Sequence, residues 1–328
     1  RQLAEGFTQR GDDVTVLTYG GMRAVVPESG AGYRVIRLPS TGDTFEWSGR
    51  LLPELRRRDF DVCHVHNLHS TVAAGIWASR RRPYVLTAHY HGGGHTAAAR
   101  VLHPGYRLLA RRIVRGAAAV TAVSATEAAL VQRDFGVDPV VVPNGIEPAA
   151  RTTSLAGHEP PTIAVVSRLV RYKRVDGAVR ALADLPDHVL HIIGDGPERA
   201  SLLRLAGELG VRERVVLTAG RLSDQEVLDA VHSAVVHVNL SEAEAFSYTV
   251  LESLAVGTPV VVNGASALGE WAGRFPGAVL TADPDAPAAV AAAVRKLDGT
   301  CADVDLGDYA LPAILDRYQS IYARAVAA

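Results

Sequence analysis

Runs of β-branched and apolar residues of strand length recur along the chain, and helical stretches separate them. They form one series at 14–18, 62–66, 84–89, 119–124 and 140–144, and a second at 162–168, 188–194, 215–220, 235–241 and 259–263. Short strands that alternate with helices predict parallel sheets built from β-α-β units. We therefore predict an α/β protein with two Rossmann-like domains whose parallel sheets face a cleft.

The break between the two series predicts the domain organisation. Residues 147–161 are rich in Pro, Thr and Ala and interrupt the alternation of strands and helices, which is typical of a linker. We predict a first domain over 1–148, a linker over 149–161, a second domain over 162–310 and a final helix over 311–328. That helix is expected to pack back on the first domain.

Composition and charge narrow the class of protein. The chain has 48% hydrophobic and 21% charged residues and a formal net charge of −1, which is ordinary for a globular protein and indicates no nucleic-acid partner. Its two cysteines, Cys63 and Cys301, lack a metal-type spacing, which favours a reduced, cytoplasmic location. No run reaches the roughly 18 apolar residues that a membrane span needs.

Residues 241–260 carry the most informative polar positions of the chain. Glu244 and Glu252 lie eight residues apart across the junction between a strand at 235–240 and a helix that Ser247 is predicted to cap. Because this helix is apolar around most of its circumference, a carboxylate in it needs a cation or a hydrogen-bond donor. The glutamates and the free amides of the helix start predict a site for a ligand with hydroxyls and phosphate.

A lysine after the first strand of the second series is a second candidate. The strand at 162–168 ends at Arg168, and Lys173 follows five residues later. The chain has 34 Lys and Arg residues, and only Lys173 and Lys296 are lysines. A lysine against this background indicates a need for a compact ammonium, for example to neutralise a diphosphate. By itself, a solvated helix start explains the lysine equally well.

The segment 192–198, IIGDGPE, has a Gly-Asp-Gly turn between a strand and a helix. Gly194 and Gly196 permit close approach of the backbone to a ligand, although an ordinary tight turn explains the motif better when it stands alone. The third glycine and the downstream acid of a nicotinamide dinucleotide site are missing.

These three elements occur in order after successive strands, and EAFSYTVLE is followed by AVGTPVVV. The combination resembles the C-terminal domain of retaining family 4 glycosyltransferases (glycosyl transferases group 1), which have the GT-B fold. The resemblance implies that Arg168 and Lys173 bind the donor diphosphate. It further implies that Glu244 contacts sugar hydroxyls and that Glu252 contacts the ribose.

The resemblance implies a wider donor site and no metal. The implied donor-binding residues are Gly194, Gly196, Arg221, Leu222, Ala245, Phe246, Ser247, Tyr248 and Glu252. Ala245 and Ser247 depart from the family, which often has Gly at both positions. No resident cofactor is expected, since the nucleoside-diphosphate sugar is a substrate, with UDP or GDP as the expected base.

The first half resembles the same family through its histidines. The segment 61–70 is similar to a strand ending in His-x-His, and 84–95 to a strand ending in a histidine. By that match, His66 and His89 lie at the cleft, with His89 near the donor sugar and catalytic; His91 joins His66 on the acceptor side. The family's first strand and its Gly-rich loop are missing from this sequence.

Two other uses of the first half are weighed and not favoured. His89, His91 and His95 could be drawn as metal ligands, but no acidic residue or cysteine accompanies them. The helix at 106–119 mixes arginines with apolar residues, as helices on anionic membranes do. A surface helix of the first domain is the favoured interpretation, so peripheral membrane contact is not predicted.

The predicted function is a retaining, metal-independent transfer of a hexose-type sugar from a nucleoside-diphosphate sugar to an acceptor hydroxyl. Arg168, Lys173, Glu244 and His89 are the predicted catalytic residues. The acceptor would be a small molecule, a lipid or a saccharide, in bacterial specialised-metabolite (antibiotic), glycolipid or polysaccharide biosynthesis. Two alternatives stay open: a nucleotide-sugar 2-epimerase of the same fold, and a non-catalytic nucleotide-sugar-binding protein.

Overall fold

The protein is described by a computed structural model that covers residues 1–20, 32–41, 46–79, 83–92, 107–147, 160–220 and 222–327. It divides into two compact units. Unit 1 comprises Arg1–Glu147 together with Gly307–Ala328, and unit 2 comprises Pro148–Leu306. Residues 149–159 of the predicted linker lie outside the described residues.

Unit 1 is an α/β unit. Its described strands are β1 (Thr15–Tyr19), β2 (Arg34–Leu38), β3 (Cys63–His66), β4 (Tyr84–Thr87), β5 (Ala119–Ala122) and β6 (Val140–Val141). Its described helices before unit 2 are α1 (Gln2–Gln9), α2 (Leu51–Arg57), α3 (Thr71–Ser79), α4 (107–115) and α5 (Ala125–Phe135). β1 pairs in parallel with β2, and β3 to β6 form a second parallel sheet in chain order.

Unit 2 has one six-stranded parallel sheet. Its strands are β7 (Thr162–Val166), β8 (Val189–Ile193), β9 (Val215–Thr218), β10 (Val236–Asn239), β11 (Val260–Val262) and β12 (Val279–Thr281). Its described helices are α6 (Val175–Ala181), α7 (Arg199–Glu208), α8 (Asp224–His232), α9 (Tyr248–Ala255), α10 (Leu268–Arg274) and α11 (Pro287–Leu297). The last helix, α12 (Leu311–Ala327), returns to unit 1.

The strand order of unit 2 identifies where a ligand would bind. The order is β12-β11-β10-β7-β8-β9, so the chain runs outward from β7 in one direction and then from β10 in the other. In doubly wound parallel sheets, ligands bind beyond the carboxyl ends of the strands where the direction reverses. That switch point lies between β7 and β10.

Each unit has its own apolar core. In unit 2, Val165, Ile192 and Val238 of the central strands are buried among the side chains of α6, α7 and α11. Because both faces of such a sheet are covered by helices, the strands are continuous apolar runs rather than alternating ones. In unit 1, a separate cluster joins Phe7 of α1 to α12, where Leu315 is among the buried residues.

The structure differs from the strand predictions in three places. β2 and β12 were not predicted: two of the five residues of β2 are arginines, Arg34 and Arg37, and β12 has only three residues. The strand predicted over 140–144 is reduced to Val140–Val141, which pair with Thr121 and Ala122 of β5. Short strands give too few apolar positions for a clear periodic signal.

Candidate functional site

The loops that follow β7 and β10 lie together at the switch point of unit 2. Residues 167–174 leave β7 and residues 240–247 leave β10, and the two strands are hydrogen-bonded neighbours. The Glu242 N–H donates to the Tyr172 carbonyl oxygen at 2.8 Å, which joins the loops directly. The structure therefore brings the predicted cationic segment and the predicted glutamate segment to one place.

Lys173 and Glu244 form an ion pair between these two loops. The Lys173 ammonium donates to Glu244 Oε1, and the side chains are only 14% and 16% exposed. The ammonium also lies 5.3 Å from the centre of the Tyr172 ring, within the range of a cation–π contact. The Glu244 carboxylate, which is largely shielded from water, thus has a cationic partner.

Tyr172 connects this pair to Arg168. The Arg168 guanidinium is exposed and donates to the Tyr172 hydroxyl at 2.8 Å. The tyrosine therefore contacts both predicted diphosphate-binding cations, one through its hydroxyl and the other through its ring face. Sequence reasoning missed Tyr172, because nothing in the sequence of this segment shows that its ring and hydroxyl contact the two cations.

Arg174, also missed, fastens the same loops from the side. Its backbone is left-handed, with φ of +49°, and its side chain is 13% exposed. The guanidinium donates to Glu242 at 2.7 Å and to Asp285 and Asp176 at up to 3.4 Å. Hydrogen bonds to Asp285 and Glu242 raise its pKa. Arg174 is occupied by protein carboxylates, whereas the neighbouring Lys173 has one carboxylate partner at the site.

Gly194 and Gly196 allow two backbone segments to meet. A Cβ at Gly194 would lie 1.9 Å from the Ser167 carbonyl oxygen, and one at Gly196 would lie 2.4 Å from that of Leu169. The Leu169 N–H donates to the Asp195 carbonyl oxygen at 2.9 Å across this contact. Contact within the protein accounts for both glycines, so they support the β7 loop irrespective of any ligand.

The prediction that Ser247 caps α9 with its side chain is wrong. Ser247 occupies the N-cap position but makes no side-chain cap, because its backbone has φ of +79° and ψ of 97°. Its hydroxyl instead accepts from the Asn239 amide at 3.0 Å and lies 3.1 Å from the Thr249 hydroxyl. The N-cap side chain therefore leaves the first amides of α9 to other acceptors, which is the arrangement that favours an anion.

The residues around Ser247 divide into core and surface. Phe246 is buried, its ring is 5.1 Å from that of Trp271, and its carbonyl oxygen accepts from the Trp271 indole at 2.7 Å. Tyr248 is 45% exposed at the start of α9. Ala245 is buried and has no positive φ, so its replacement of the family's glycine needs no special backbone, in contrast to Ser247.

The remaining predicted donor residues lie on or near α8 and α9. Glu252 is half-buried on α9; desolvation raises its pKa, and the charge of Asp224 at the start of α8 acts in the same direction. Leu222 is half-buried just before α8, whose first turn is closed by a Ser223–Glu226 capping box. Arg221 lies outside the described residues.

The histidines of unit 1 meet at the carboxyl ends of β3 and β4. His66 ends β3 and is paired in register with Thr87, and His89 follows two residues later. His66 Nδ1 is 3.3 Å from His89 Nε2, and the two rings are stacked with centres 5.5 Å apart. The His64 ring lies 4.2 Å from that of His66 and is hydrogen-bonded to Thr87 and to Tyr322 of α12. His91 is exposed beyond them.

The pKa values of His66 and His89 are both lowered. Burial lowers the pKa of His89 to about 4, with the charge of His91 as the second cause. Desolvation followed by repulsion from His89 lowers the pKa of His66 to about 4. The His66 side chain keeps an exposed edge, which limits its desolvation, but the repulsion within the cluster acts in the same direction. A neutral pair can donate one hydrogen bond and accept another.

The other predictions for unit 1 concern metals and membranes. In the ranges that the structure describes, no three His, Cys, Asp or Glu side chains are grouped as metal ligands, and His95 lies outside those ranges. Over the same ranges, every helix is too short or too polar to cross a bilayer. On α4, Arg111 and Arg112 are exposed and Ile113 and Val114 are buried, as on a surface helix.

Comparison with known families agrees with the two-unit organisation. Residues 1–150 match Glycosyltransferase Family 4, and residues 147–298 match Glycosyl transferases group 1. The chain belongs to the group 1 family of glycosyltransferases. The predicted family is thereby confirmed, and the transferase is an α/β enzyme of the predicted fold class.

Curated relatives of the transferase act on diverse acceptors according to their names. It is 27% identical to the 2-deoxystreptamine glucosyltransferase of Streptomyces kanamyceticus over 282 residues, 76% of this chain and 72% of the relative. It is 30% identical to the GDP-mannose-dependent alpha-(1-6)-phosphatidylinositol monomannoside mannosyltransferase of Mycolicibacterium smegmatis over 260 residues, 71% and 66% of the two chains. The match to the mannosyltransferase thus spans just under two thirds of that relative.

Solved structures share the fold of the transferase. Sucrose-phosphate synthase of Thermosynechococcus elongatus aligns with a TM-score of 0.74 and 22% identity over 100% of this chain and 90% of that one. HepE of Anabaena, in complex with UDP and glucose, aligns with a TM-score of 0.78 and 15% identity over 98% and 94%. At these identities the likeness establishes the fold alone, which is GT-B.

Proposed function

We propose that the protein transfers a hexose-type sugar from a nucleoside-diphosphate sugar to an acceptor hydroxyl, with retention of the anomeric configuration and without a metal. The observation that carries the proposal is the Lys173–Glu244 pair at the switch point of unit 2, beside a helix start that its own N-cap side chain leaves open. A cation, a carboxylate and free amides are the groups that a diphosphate and sugar hydroxyls need.

The donor would bind across the two joined loops. The diphosphate oxygens would accept from Arg168, Lys173 and the first amides of α9, and Glu244 would accept from sugar hydroxyls. The Lys173–Glu244 contact would then open enough for each group to serve its own part of the donor. Glu252 would hold the ribose, which is compatible with a half-buried carboxyl whose pKa is raised. Positive charge near the leaving diphosphate lowers the barrier to its departure.

The reaction would be a front-face displacement, in which the leaving diphosphate and the incoming hydroxyl share one face of the sugar. The diphosphate would take up the acceptor proton as the glycosidic bond breaks. The pKa values of His66 and His89 are lowered, so these side chains would offer hydrogen bonds and not positive charge.

The names of relatives support a range of donors and acceptors. One relative is named for GDP-mannose, and a structural neighbour binds UDP and glucose, so UDP and GDP are the proposed bases. Relatives are named for an aminocyclitol and for a lipid-linked acceptor. We favour a small specialised metabolite as acceptor and a cytoplasmic location.

The first test is a thermal-shift screen with UDP-, GDP-, ADP- and dTDP-sugars. A ligand at about 100 times its Kd stabilises the native state by about 2.7 kcal/mol, so the correct donor should raise the Tm clearly. The stabilising donor should then be hydrolysed slowly without acceptor and at an unchanged rate in the presence of EDTA. No shift with any of the four classes would contradict the donor site.

Product analysis separates the alternatives. NMR of the product should show that the new glycosidic bond keeps the anomeric configuration of the donor. Appearance of a 2-epimer of the nucleotide sugar would favour the epimerase. Tight donor binding with neither hydrolysis nor transfer would favour a non-catalytic binding protein.

A further inference from the structure

A buried carboxylate joins the two segments of unit 1 that follow β4 and β5. Glu127 is 1% exposed at the third position of α5. Its Oε1 accepts from the Tyr90 N–H at 2.6 Å, and its Oε2 accepts from the Val123 N–H at 2.6 Å. Each carboxylate oxygen thus holds one backbone amide, and the two amides belong to different loops.

This use of Glu127 departs from ordinary helix capping. Ser124 at the N-cap accepts from the Glu127 N–H at 3.1 Å, which is one half of a capping box. In the complete box, the acidic side chain at the third position reaches back to the N-cap amide. Here the carboxylate is directed to Val123 and across to Tyr90, so it serves a tertiary contact that α5 itself does not need.

The segment that Glu127 holds contains a strained histidine. His89 has φ of +47°, a left-handed conformation that is uncommon for a residue other than glycine. The next residue, Tyr90, is buried and fixed at both ends: its N–H by Glu127 and its hydroxyl by Asp134 at 2.7 Å. The backbone that sets the direction of the His89 ring is therefore anchored one residue away.

We propose that Glu127 is a positioning residue, which fixes the His89 imidazole against His66 by accepting from the Tyr90 and Val123 amides. The inference rests on the proposed function, in which His89 takes part in sugar transfer. Only an ionised carboxylate accepts from two N–H groups with its two oxygens; an amide side chain would present an N–H donor to one of them. The His66–His89 contact of 3.3 Å is the geometry that the anchor maintains.

The same carboxylate brings a dependence on pH. Desolvation raises the pKa of Glu127 to about 7, while its two backbone hydrogen bonds oppose the shift. Tyr318 of α12 is the titratable group whose pKa the Glu127 charge affects; burial raises that pKa most, and Glu127 acts in the same direction. Protonation removes one acceptor, so turnover should fall as the pH drops through about 7. Because the folded state disfavours the ionised form of Glu127, the free energy of unfolding should decrease as the pH rises from 4.5 to about 7.

The test compares E127Q with D134N. The first variant removes the double acceptor. The second removes the charge beside the Tyr90 hydroxyl, keeps a side-chain oxygen that can accept from it, and leaves the backbone anchor intact. With the donor found by thermal shift, E127Q should lower kcat at least tenfold with KM within about twofold, and should abolish the loss of turnover below pH 7. NMR of histidine labelled at the ring nitrogens should show an altered His89 tautomer balance in E127Q. D134N should leave both kcat and the His89 signals close to wild type.

Three outcomes would overturn the proposal. A folded E127Q variant could have normal kcat, a folded E127Q variant could have unchanged His89 NMR signals, or D134N could lose as much kcat as E127Q. If E127Q does not fold, E127D replaces it, because the shorter acid reaches only one of the two amides and should give an intermediate kcat and a shifted His89 signal. The NMR result needs no substrate. A protein that turns over no nucleotide sugar but shows the His89 change refutes the proposed function and leaves the anchor standing.

Discussion

Replacing Lys173 by Met tests the centre of the proposed donor site. Methionine keeps most of the length and the apolar character of the lysine stem and removes the charge together with its N–H donors. Losing one preorganised charge stabiliser costs about 10²–10³-fold in turnover, or about 2.7–4.1 kcal/mol of transition-state stabilisation. We expect kcat for transfer, and for donor hydrolysis without acceptor, to fall by that factor.

The substitution also affects the fold, because Glu244 loses its partner. Removing one partner of a fully buried ion pair costs about 3–5 kcal/mol. Since both side chains keep 14–16% exposure, water takes over part of the solvation and we expect about 1–3 kcal/mol. For a protein of this size that corresponds to a Tm lower by about 1–5 °C.

Two further variants separate catalysis from stability. The double variant K173M/E244Q removes both charges, so it should recover most of the lost Tm and none of the lost turnover. K296M changes the second of the two lysines of the chain, which is exposed on α11, and should leave kcat and Tm unchanged. Near-normal kcat in K173M, with Tm as predicted, would refute the role of the ammonium in the reaction.

Three other substitutions have outcomes set by local geometry. H237L should raise the free energy of unfolding by about 1–3 kcal/mol, because both nitrogens of this fully buried ring are without a hydrogen-bond partner among the described residues. Burial lowers the pKa of His237 to about 4, so the wild type loses stability as pH falls from 6.5 to about 4, and urea titration at pH 5 should show a smaller loss in H237L. G194A should lower the free energy of unfolding by at least about 2 kcal/mol because its Cβ would meet the Ser167 carbonyl oxygen at 1.9 Å, whereas G207A on α7, with open space around it, should match or exceed wild type. S247G should change the free energy of unfolding by less than about 1 kcal/mol, because glycine adopts the positive φ without strain and this gain offsets the lost hydroxyl contacts. If chemical denaturation shows a much lower free energy of unfolding, the hydroxyl contributes more than the backbone conformation costs.

The sequence was sufficient to predict the fold where the signal is local and repeated. The regular alternation of apolar strands and helices gave two parallel α/β units, and the composition of 241–260 with a single unusual lysine pointed to the loops that meet at the switch point. Both predictions depend on residues whose structural role can be inferred from the residues next to them in the chain. The family assignment follows from the same short segments.

The sequence was insufficient where a side chain acts on a distant loop. The Arg174 guanidinium donates to Glu242, and the Tyr172 carbonyl oxygen accepts from the Glu242 N–H, about 70 residues away. Nothing in RYKR distinguishes these two residues from solvated ones. Ser247 has the composition of a helix cap, but the positive φ that turns its hydroxyl toward Asn239 is set by the tertiary structure. Glu127 likewise resembles half of a capping box, and its second loop partner is 37 residues earlier in the chain.

The return of α12 to unit 1 has a consequence for biosynthesis. Unit 2 is continuous between Pro148 and Leu306, whereas the apolar cluster of Phe7 is completed only by side chains such as Ile314 and Ile321. A ribosome therefore releases every segment of unit 2 before it delivers the helix that closes unit 1. Until α12 has been synthesised, the nascent amino-terminal half exposes the apolar surface that this helix covers, and we expect chaperones to bind it during translation.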